Sequence, residues 1–315
     1  MVRHLAVIVR RGQLAILRLE HERRGLVVAT GRNSAWVAID GEPQPRLATL
    51  RRMTGKRFMP VPGDAVTVRP LADGEAVVER IEPRSFTLER FTARGRAKTM
   101  AANVDTIAIV TSLSHPPPRL PTLDQLLAFC ELQGVDAIAI FTKPDLSGAE
   151  TAERLTGLYR SLGYEAIVVN PKTGDDLEAL RGGLHGRRAL LAGSSGVGKS
   201  TIFRALGGEA VVGEVSRFGI GRQTTTAARL YRMSDGFLID SPGIGAFGLG
   251  AIAPAELARA FRELREPSLH CRFSDCTHRS EPDCAVRKAV DAGGIAPSRY
   301  ASYLNIAEGA LSESR

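Results

Sequence analysis

The sequence predicts a multidomain chain: a small N-terminal β-barrel, an α/β domain whose parallel sheet is covered on both faces, and a short C-terminal metal-binding segment. Three observations carry this. Short strand-like runs separated by turns fill residues 23–84, and beyond residue 98 continuous apolar runs alternate with helical stretches. Cys271, Cys276 and Cys284 then crowd into fourteen residues with His278 among them. With 315 residues there is room for several modules, since domains commonly run about 100 to 200 residues.

Residues 1–22 form a basic N-terminal segment whose alternation of apolar and charged residues decides nothing. From there Gly25 to Thr30, Ser34 to Ile39, Ala65 to Arg69 and Gly74 to Ile81 read as strands, punctuated by Asp40-Gly41, Pro62-Gly63-Asp64 and Asp73-Gly74. The long connection between the second and third strands carries Arg46, Arg51, Arg52, Lys56 and Arg57, a solvated loop or a nucleic-acid face. Trp36 reads as barrel core. The segment Arg84 to Lys98 is basic without an apolar period and reads as a linker, so the chain divides into 1–22, 23–97, 98–255 and 256–315.

In the third part Val104 to Val110, Ala137 to Phe141, Glu165 to Val169, Ala189 to Ala192 and Gly236 to Ile239 are continuous apolar runs. Helical stretches Thr122 to Gln133, Ala149 to Leu162 and Lys199 to Leu206 separate them, as in a parallel sheet buried on both faces. Cys130, in the first helix, reads as a small buried hydrophobe. No apolar stretch approaches the roughly 20 residues that span a bilayer, and Leu5 to Val9 is too short for a signal-peptide core. These features predict a cytoplasmic chain with no membrane partner. A net charge of +8 favours a polyanionic partner, because phosphate neutralisation releases counterions.

Chemistry concentrates in four motifs and a cluster. Gly193-Ser194-Ser195-Gly196-Val197-Gly198-Lys199-Ser200, followed by Thr201, has the spacing of a phosphate loop between a strand and a helix. Backbone NH groups turn around phosphate oxygens, Lys199 adds a point charge and Ser200 offers a hydroxyl to magnesium. Asp240-Ser241-Pro242-Gly243 ends a strand about forty residues later, placing an acid near that magnesium and a glycine NH at the γ-phosphate. Between them Thr224-Thr225-Thr226 can close over the ion, Thr225 being the preferred ligand.

Thr142-Lys143-Pro144-Asp145 matches a guanine reader, since a carboxylate accepts from the N1 and N2 positions and faces the wrong groups on adenine. It lies upstream of the phosphate loop, where a linear domain would place it downstream. Either the match is chance, or the domain has been cut and rejoined. Asn170-Pro171-Lys172, also after an apolar strand, supplies a second base loop and supports the second reading. Finally Cys271, Cys276, His278 and Cys284, separated by four, one and five residues, offer three thiolates and an imidazole, a closed tetrahedral set for one structural zinc ion. Nearby Arg272, Arg279, Arg287, Lys288 and Arg299 face either RNA or solvent.

This order of motifs, flanked by a barrel and a Cys3His cluster, resembles the circularly permuted GTPases of the RsgA (YjeQ) family. Ala102-Asn103-Val104-Asp105 and Leu123-Asp124-Gln125-Leu126 add to the match. The resemblance implies an N-terminal OB-fold that binds RNA, a permuted GTPase domain and a helical zinc domain. It also implies a monomer that binds the small (30S) ribosomal subunit and its 16S rRNA and converts GTP to GDP, with stimulation by the subunit, during late maturation.

Three departures stand out. Thr142 replaces the usual asparagine of the base reader, Asn170-Pro171 stands where a Ser-Ala-like pair is common, and Gln223 replaces a histidine proposed to assist hydrolysis. An amide orients water but does not titrate near neutral pH, so Gln223 is expected to position the attacking water. Two rival readings are an adenine-specific phosphate-loop ATPase and a nucleotide-regulated RNA-binding module without turnover.

Overall fold

Two short strands, β1 (Ala6–Arg10) and β2 (Gln13–Leu17), pair antiparallel ahead of the first domain. The structure, a computed structural model, describes residues 6–10, 13–17, 22–31, 33–50, 59–72, 74–91, 97–207, 209–210, 229–233, 236–240 and 252–313. Five strands then close a barrel in the order β3 (Arg23–Thr30), β4 (Ser34–Ile39), β5 (Arg46–Leu50), β7 (Ala76–Ile81), β6 (Ala65–Pro70). Alternation explains the closure, with Val27, Ala35, Val37, Ile39, Ala48, Val66, Val68 and Val78 pointing inward as one buried cluster.

Three expectations need correction here. The stretch holding Arg46 is a strand, and Arg46 is paired with Glu42 at 2.6 Å instead of standing on a free loop. Arg51, Arg52, Lys56 and Arg57 lie outside the described residues. Trp36 sits on the outer face of β4, because period-two alternation puts it opposite Ala35 and Val37; it packs on the neighbouring domain's core. The expected linker contains β8 (Thr87–Phe91), which pairs antiparallel with β9 (Ala97–Ala102). Its apolar signal is hidden in the sequence because a run rich in basic residues separates Leu88 from Met100 and Ala101, the positions that are buried.

The α/β domain is a seven-stranded sheet ordered β12-β11-β10-β13-β16-β15-β14. Its parallel core comprises β10 (Thr106–Ser112), β11 (Asp136–Thr142), β12 (Glu165–Val169), β13 (Arg188–Ala192) and β16 (Gly236–Asp240). The antiparallel edge is β15 (Arg229–Met233) and the two-residue β14 (Glu209–Ala210). Every residue of β10 is buried, as a central strand covered on both faces requires. One face carries α1 (Leu120–Gln133) and α2 (Ala149–Ser161), through Leu123, Leu126, Leu127, Leu155 and Tyr159. The other carries α3 (Leu177–Leu184) and α4 (Lys199–Ala205), through Leu180, Leu184 and Ile202. Cys130 lies in the first of these cores, and burial pushes its thiol far up, in keeping with a packing role.

The C-terminal part is helical: α5 (Pro254–Ala260), α6 (Arg262–Ser268), α7 (Ala285–Asp291) and α8 (Pro297–Glu313). Phe261, Leu264, Val286 and Tyr303 form its core together with Ala128 from α1, so one helix serves two domains. Arg299, expected on an exposed face, is instead 1% exposed; it meets Asp124 of α1 at 2.5 Å and Glu263 at 2.6 Å. Sequence patterning marks it as surface because arginine is seldom buried unless paired, and both partners are remote in the chain. Among the described residues no helix is long and apolar enough to cross a membrane.

Candidate functional site

Parallel strands deliver the motifs to one edge of the sheet. In register Thr142 lies beside Val169 and beside Ser112, while Leu191 lies beside Asp240. The carboxyl ends of β11, β12, β13 and β16 therefore lie at one edge of the sheet, where α/β sheets bind ligands.

The phosphate loop turns from β13 into α4. Gly193 has φ +136, and a Cβ there would stand 2.2 Å from the Val110 carbonyl oxygen, so only glycine fits. Lys199 folds back over the loop, its Nζ donating to the carbonyls of Gly193 at 2.7 Å and Ser194 at 2.6 Å. Burial holds its pKa below the ordinary lysine value, and Asp240 opposes that shift. Lys199 and Asp240 are therefore near enough to interact. Ser195, Gly196 and Ser200 are exposed and Thr201 is partly buried at the helix start.

The Thr142 to Asp145 motif is tied to this loop by hydrogen bonds. Thr142, fully buried, donates its hydroxyl to the Val197 carbonyl at 2.6 Å. Lys143 adopts φ +60 and sends Nζ to the Gly196 carbonyl at 2.8 Å and to that of His115. Asp145 stays exposed in the short turn Pro144–Leu146. Asn170 is buried beside it, donating Nδ2 to Asp145 Oδ1 at 3.4 Å while its own Oδ1 accepts from the Lys172 NH at 3.2 Å. The second contact fixes which way the amide points.

The loop carrying His115 was not singled out by motif; its one signal was a proline-rich turn following a buried strand. Gln223, Thr224, Thr225, Thr226 and Gly243 lie outside the described residues, and Asp240 ends β16 just before that gap.

Cys271, Cys276, His278 and Cys284 come together with all four ligand atoms within 4.8 Å of one another. Cys271 Sγ and Cys284 Sγ lie 3.5 and 3.6 Å from His278 Nδ1, and 4.0 Å apart. Bonds of about 2.3 Å to sulfur and about 2.0 Å to nitrogen in a tetrahedron call for separations of this size, so the set fits zinc. His278 Nε2 meets Ser268 Oγ at 3.1 Å, which orients the ring with Nδ1 inward. Glu281 braces the same turn, bonding the Thr277 NH at 2.7 Å and the Arg279 NH at 2.9 Å.

A phosphate loop, a tethered carboxylate base loop upstream of it, and an acid at the end of the neighbouring strand define a guanine-nucleotide hydrolase of permuted order. The RsgA GTPase family model matches residues 81–250. A Moorella thermoacetica protein described as small ribosomal subunit biogenesis GTPase RsgA is 40% identical over 78% of this chain and 82% of its own length. The Yersinia pseudotuberculosis protein of the same description is 35% identical over 95% and 88%. Among solved structures, YjeQ from Thermotoga maritima superposes with TM-score 0.75 at 29% identity, covering 92% of this chain and 99% of that one. YloQ, described as a circularly permuted GTPase, gives 0.71 at 25%, covering 95% and 98%. The chain belongs to the RsgA GTPase family, and it is a hydrolase acting on GTP.

Proposed function

We propose that this chain binds the small ribosomal subunit through its 16S rRNA, assists late maturation of that subunit, and hydrolyses GTP faster when bound to it. The carrying observation is the convergence of the base loop and the phosphate loop at one sheet edge, tied by the Thr142 to Val197 bond. The names of the relatives and the charge of +8 support the ribosomal partner. The same reading makes the protein cytoplasmic and monomeric, with parts at 23–97, 98–255 and 256–315.

In this reading Asp145 accepts the guanine N1 and N2 hydrogens, with Asn170 steadying its carboxylate and the Lys143 stem against the base. Backbone NH groups of Gly193 to Lys199 hold phosphate oxygens, and Lys199 carries the balancing charge. Ser200 and Thr225, with Asp240 close by, would hold a magnesium ion, which would supply charge neutralisation at the phosphates. Gly243 contacts the γ-phosphate, and Gln223 orients the water whose oxygen attacks phosphorus as the bond to the β-γ bridging oxygen breaks. GDP and phosphate leave. Cys271, Cys276, His278 and Cys284 would hold one structural zinc ion, which would organise the loop between α6 and α7.

Turnover of GTP and ATP, each with and without small subunits, tests this. GTP should be preferred and its turnover stimulated, and Gln223→Ala should lose most of the stimulation. An ATP preference, or GTP turnover indifferent to the subunit, would overturn the proposal.

A further inference from the structure

The buried cluster around Arg299 joins the C-terminal helix to a helix that also borders the phosphate loop. Arg299 donates Nη1 to Asp124 at 2.5 Å and Nε to Glu263 at 2.6 Å, with its guanidinium 4.6 Å from the centre of the Phe261 ring. Tyr159 of α2 donates its hydroxyl to the same Asp124 oxygen at 2.7 Å. Two acids, one guanidinium and one phenol thus meet where all are shut off from water, so each depends on the others for its hydrogen bonds.

Asp124 sits in the first turns of α1. Thr122, Leu123 and Leu126 of that helix and Arg119 just before it line a small void together with Ile109, Val110 and Thr111 of β10 and with Gly193 and Ser194. Those are the two residues whose carbonyls hold Lys199 Nζ. Arg299 thus holds, through Asp124, a helix that shares a void with the start of the phosphate loop, whose carbonyls hold the loop's lysine. Further down the helix Glu131 takes bonds from Arg262 at 2.7 Å and Arg265 at 2.5 Å, so the C-terminal domain grips α1 at two places along its length.

We propose that Arg299 is a positioning residue for nucleotide binding: by pinning Asp124 it sets α1 against Gly193 and Ser194, so the C-terminal domain tunes a phosphate site built from another domain. This rests on the reading that Gly193 to Ser200 holds the phosphates. A tether of this kind acts at Gly193 and Ser194, on the phosphate end of the ligand, whereas the base-reading Asp145 is braced from another strand end by Asn170.

The test measures magnesium-GDP and magnesium-IDP affinity of the full zinc-loaded chain for wild type, Arg299→Met, Tyr159→Phe and Lys199→Ala. Arg299→Met should weaken GDP binding by about tenfold and Tyr159→Phe by about twofold, because small displacements at a binding site are costly. The ratio of GDP to IDP affinity should stay at the wild-type value in both. Unchanged GDP affinity in Tyr159→Phe together with Arg299→Met overturns the proposal, as does a ratio that falls toward one, which signals general loosening. Should Arg299→Met fail to hold zinc, Tyr159→Phe, which removes one hydroxyl and keeps the ring, decides alone. Lys199→Ala tests the underlying reading: if it binds GDP normally, the phosphate-loop assignment fails, independently of Arg299.

Discussion

The α/β domain is joined to a neighbour at each end, and the two joints are built from different materials. The barrel is fastened by backbone and apolar surface. Ala102 NH bonds the Pro62 carbonyl at 3.0 Å, Asn103 Nδ2 bonds the Gly63 carbonyl at 2.9 Å, and Leu26, Trp36 and Ala38 rest on the domain core. The C-terminal domain adds to its apolar contacts the paired charges of Arg299 with Asp124 and Glu263, and of Glu131 with Arg262 and Arg265. Arg262 also lies 3.9 Å from the Tyr164 ring centre. A backbone joint tolerates most side-chain changes. An ionic joint fails at single residues, because deleting one partner strands a buried charge.

The largest effect should come from removing the metal. Binding free energies of about 10–16 kcal/mol organise small zinc-bound peptides, so chelation should unfold the segment around Cys271 to Cys284 and loosen α6 to α8. Hydrogen exchange should then rise across the C-terminal helices and stay low across Pro62, Gly63 and Ala102; equal loss at both ends would break the comparison.

Next, Arg299→Ala should cost about 3–5 kcal/mol in denaturant unfolding, the usual penalty for orphaning a buried charge. Burial already pushes the Asp124 carboxyl upward, with Arg299 the chief opposing charge, so the loss falls on a group under strain of desolvation.

At the barrel joint the sensitive position is a glycine. Gly63 has φ +91, and a Cβ there would stand 2.0 Å from the Ala102 carbonyl oxygen. Gly63→Ala should therefore cost about 3 kcal/mol, whereas truncating Trp36's outer-face neighbour Ala38 to glycine should cost about 1 kcal/mol or less. Thermal unfolding of the two variants gives the comparison, and a neutral Gly63→Ala would show that the joint is not seated on its backbone.

The smallest effect is one of pH. Burial would raise the Glu131 carboxyl, but the hydrogen bonds and charges of Arg262 and Arg265 outweigh it and hold the group below its ordinary value. A carboxyl depressed in the folded state contributes stability above its unfolded pKa and loses it as pH falls through the folded one. Wild type should therefore exceed Glu131→Gln in stability at neutral pH, and the gap should close in acid, below about pH 4. A gap constant with pH would mean that the charge of Glu131 contributes nothing to the joint.

Much of this protein could be read from local chemistry. The Gly193 to Ser200 loop, the five apolar strands of the parallel sheet and the Cys3His spacing are each specified within a few residues, and the structure has them where expected. Features that depend on remote partners were misread or missed. The hairpin of β8 and β9 buries Leu88, Met100 and Ala101 in the neighbouring core, and Trp36 faces outward onto a surface from another domain. Thr142, which stands where the base reader usually has an asparagine, also donates to a phosphate-loop carbonyl 55 positions further along the chain.

Sequence alone determined the chemical inventory: which residues can hold phosphate, guanine and zinc, and that the first two motifs stand in permuted order. It did so because ligand geometry and turn conformation constrain short segments directly. Tertiary structure decided how these parts are coupled, through Thr142 to Val197, Asn170 to Asp145 and Arg299 to Asp124. Those bonds join residues separated by between 25 and 175 positions, and for Thr142 and Arg299 only packing in a shared core removes the water that would otherwise compete.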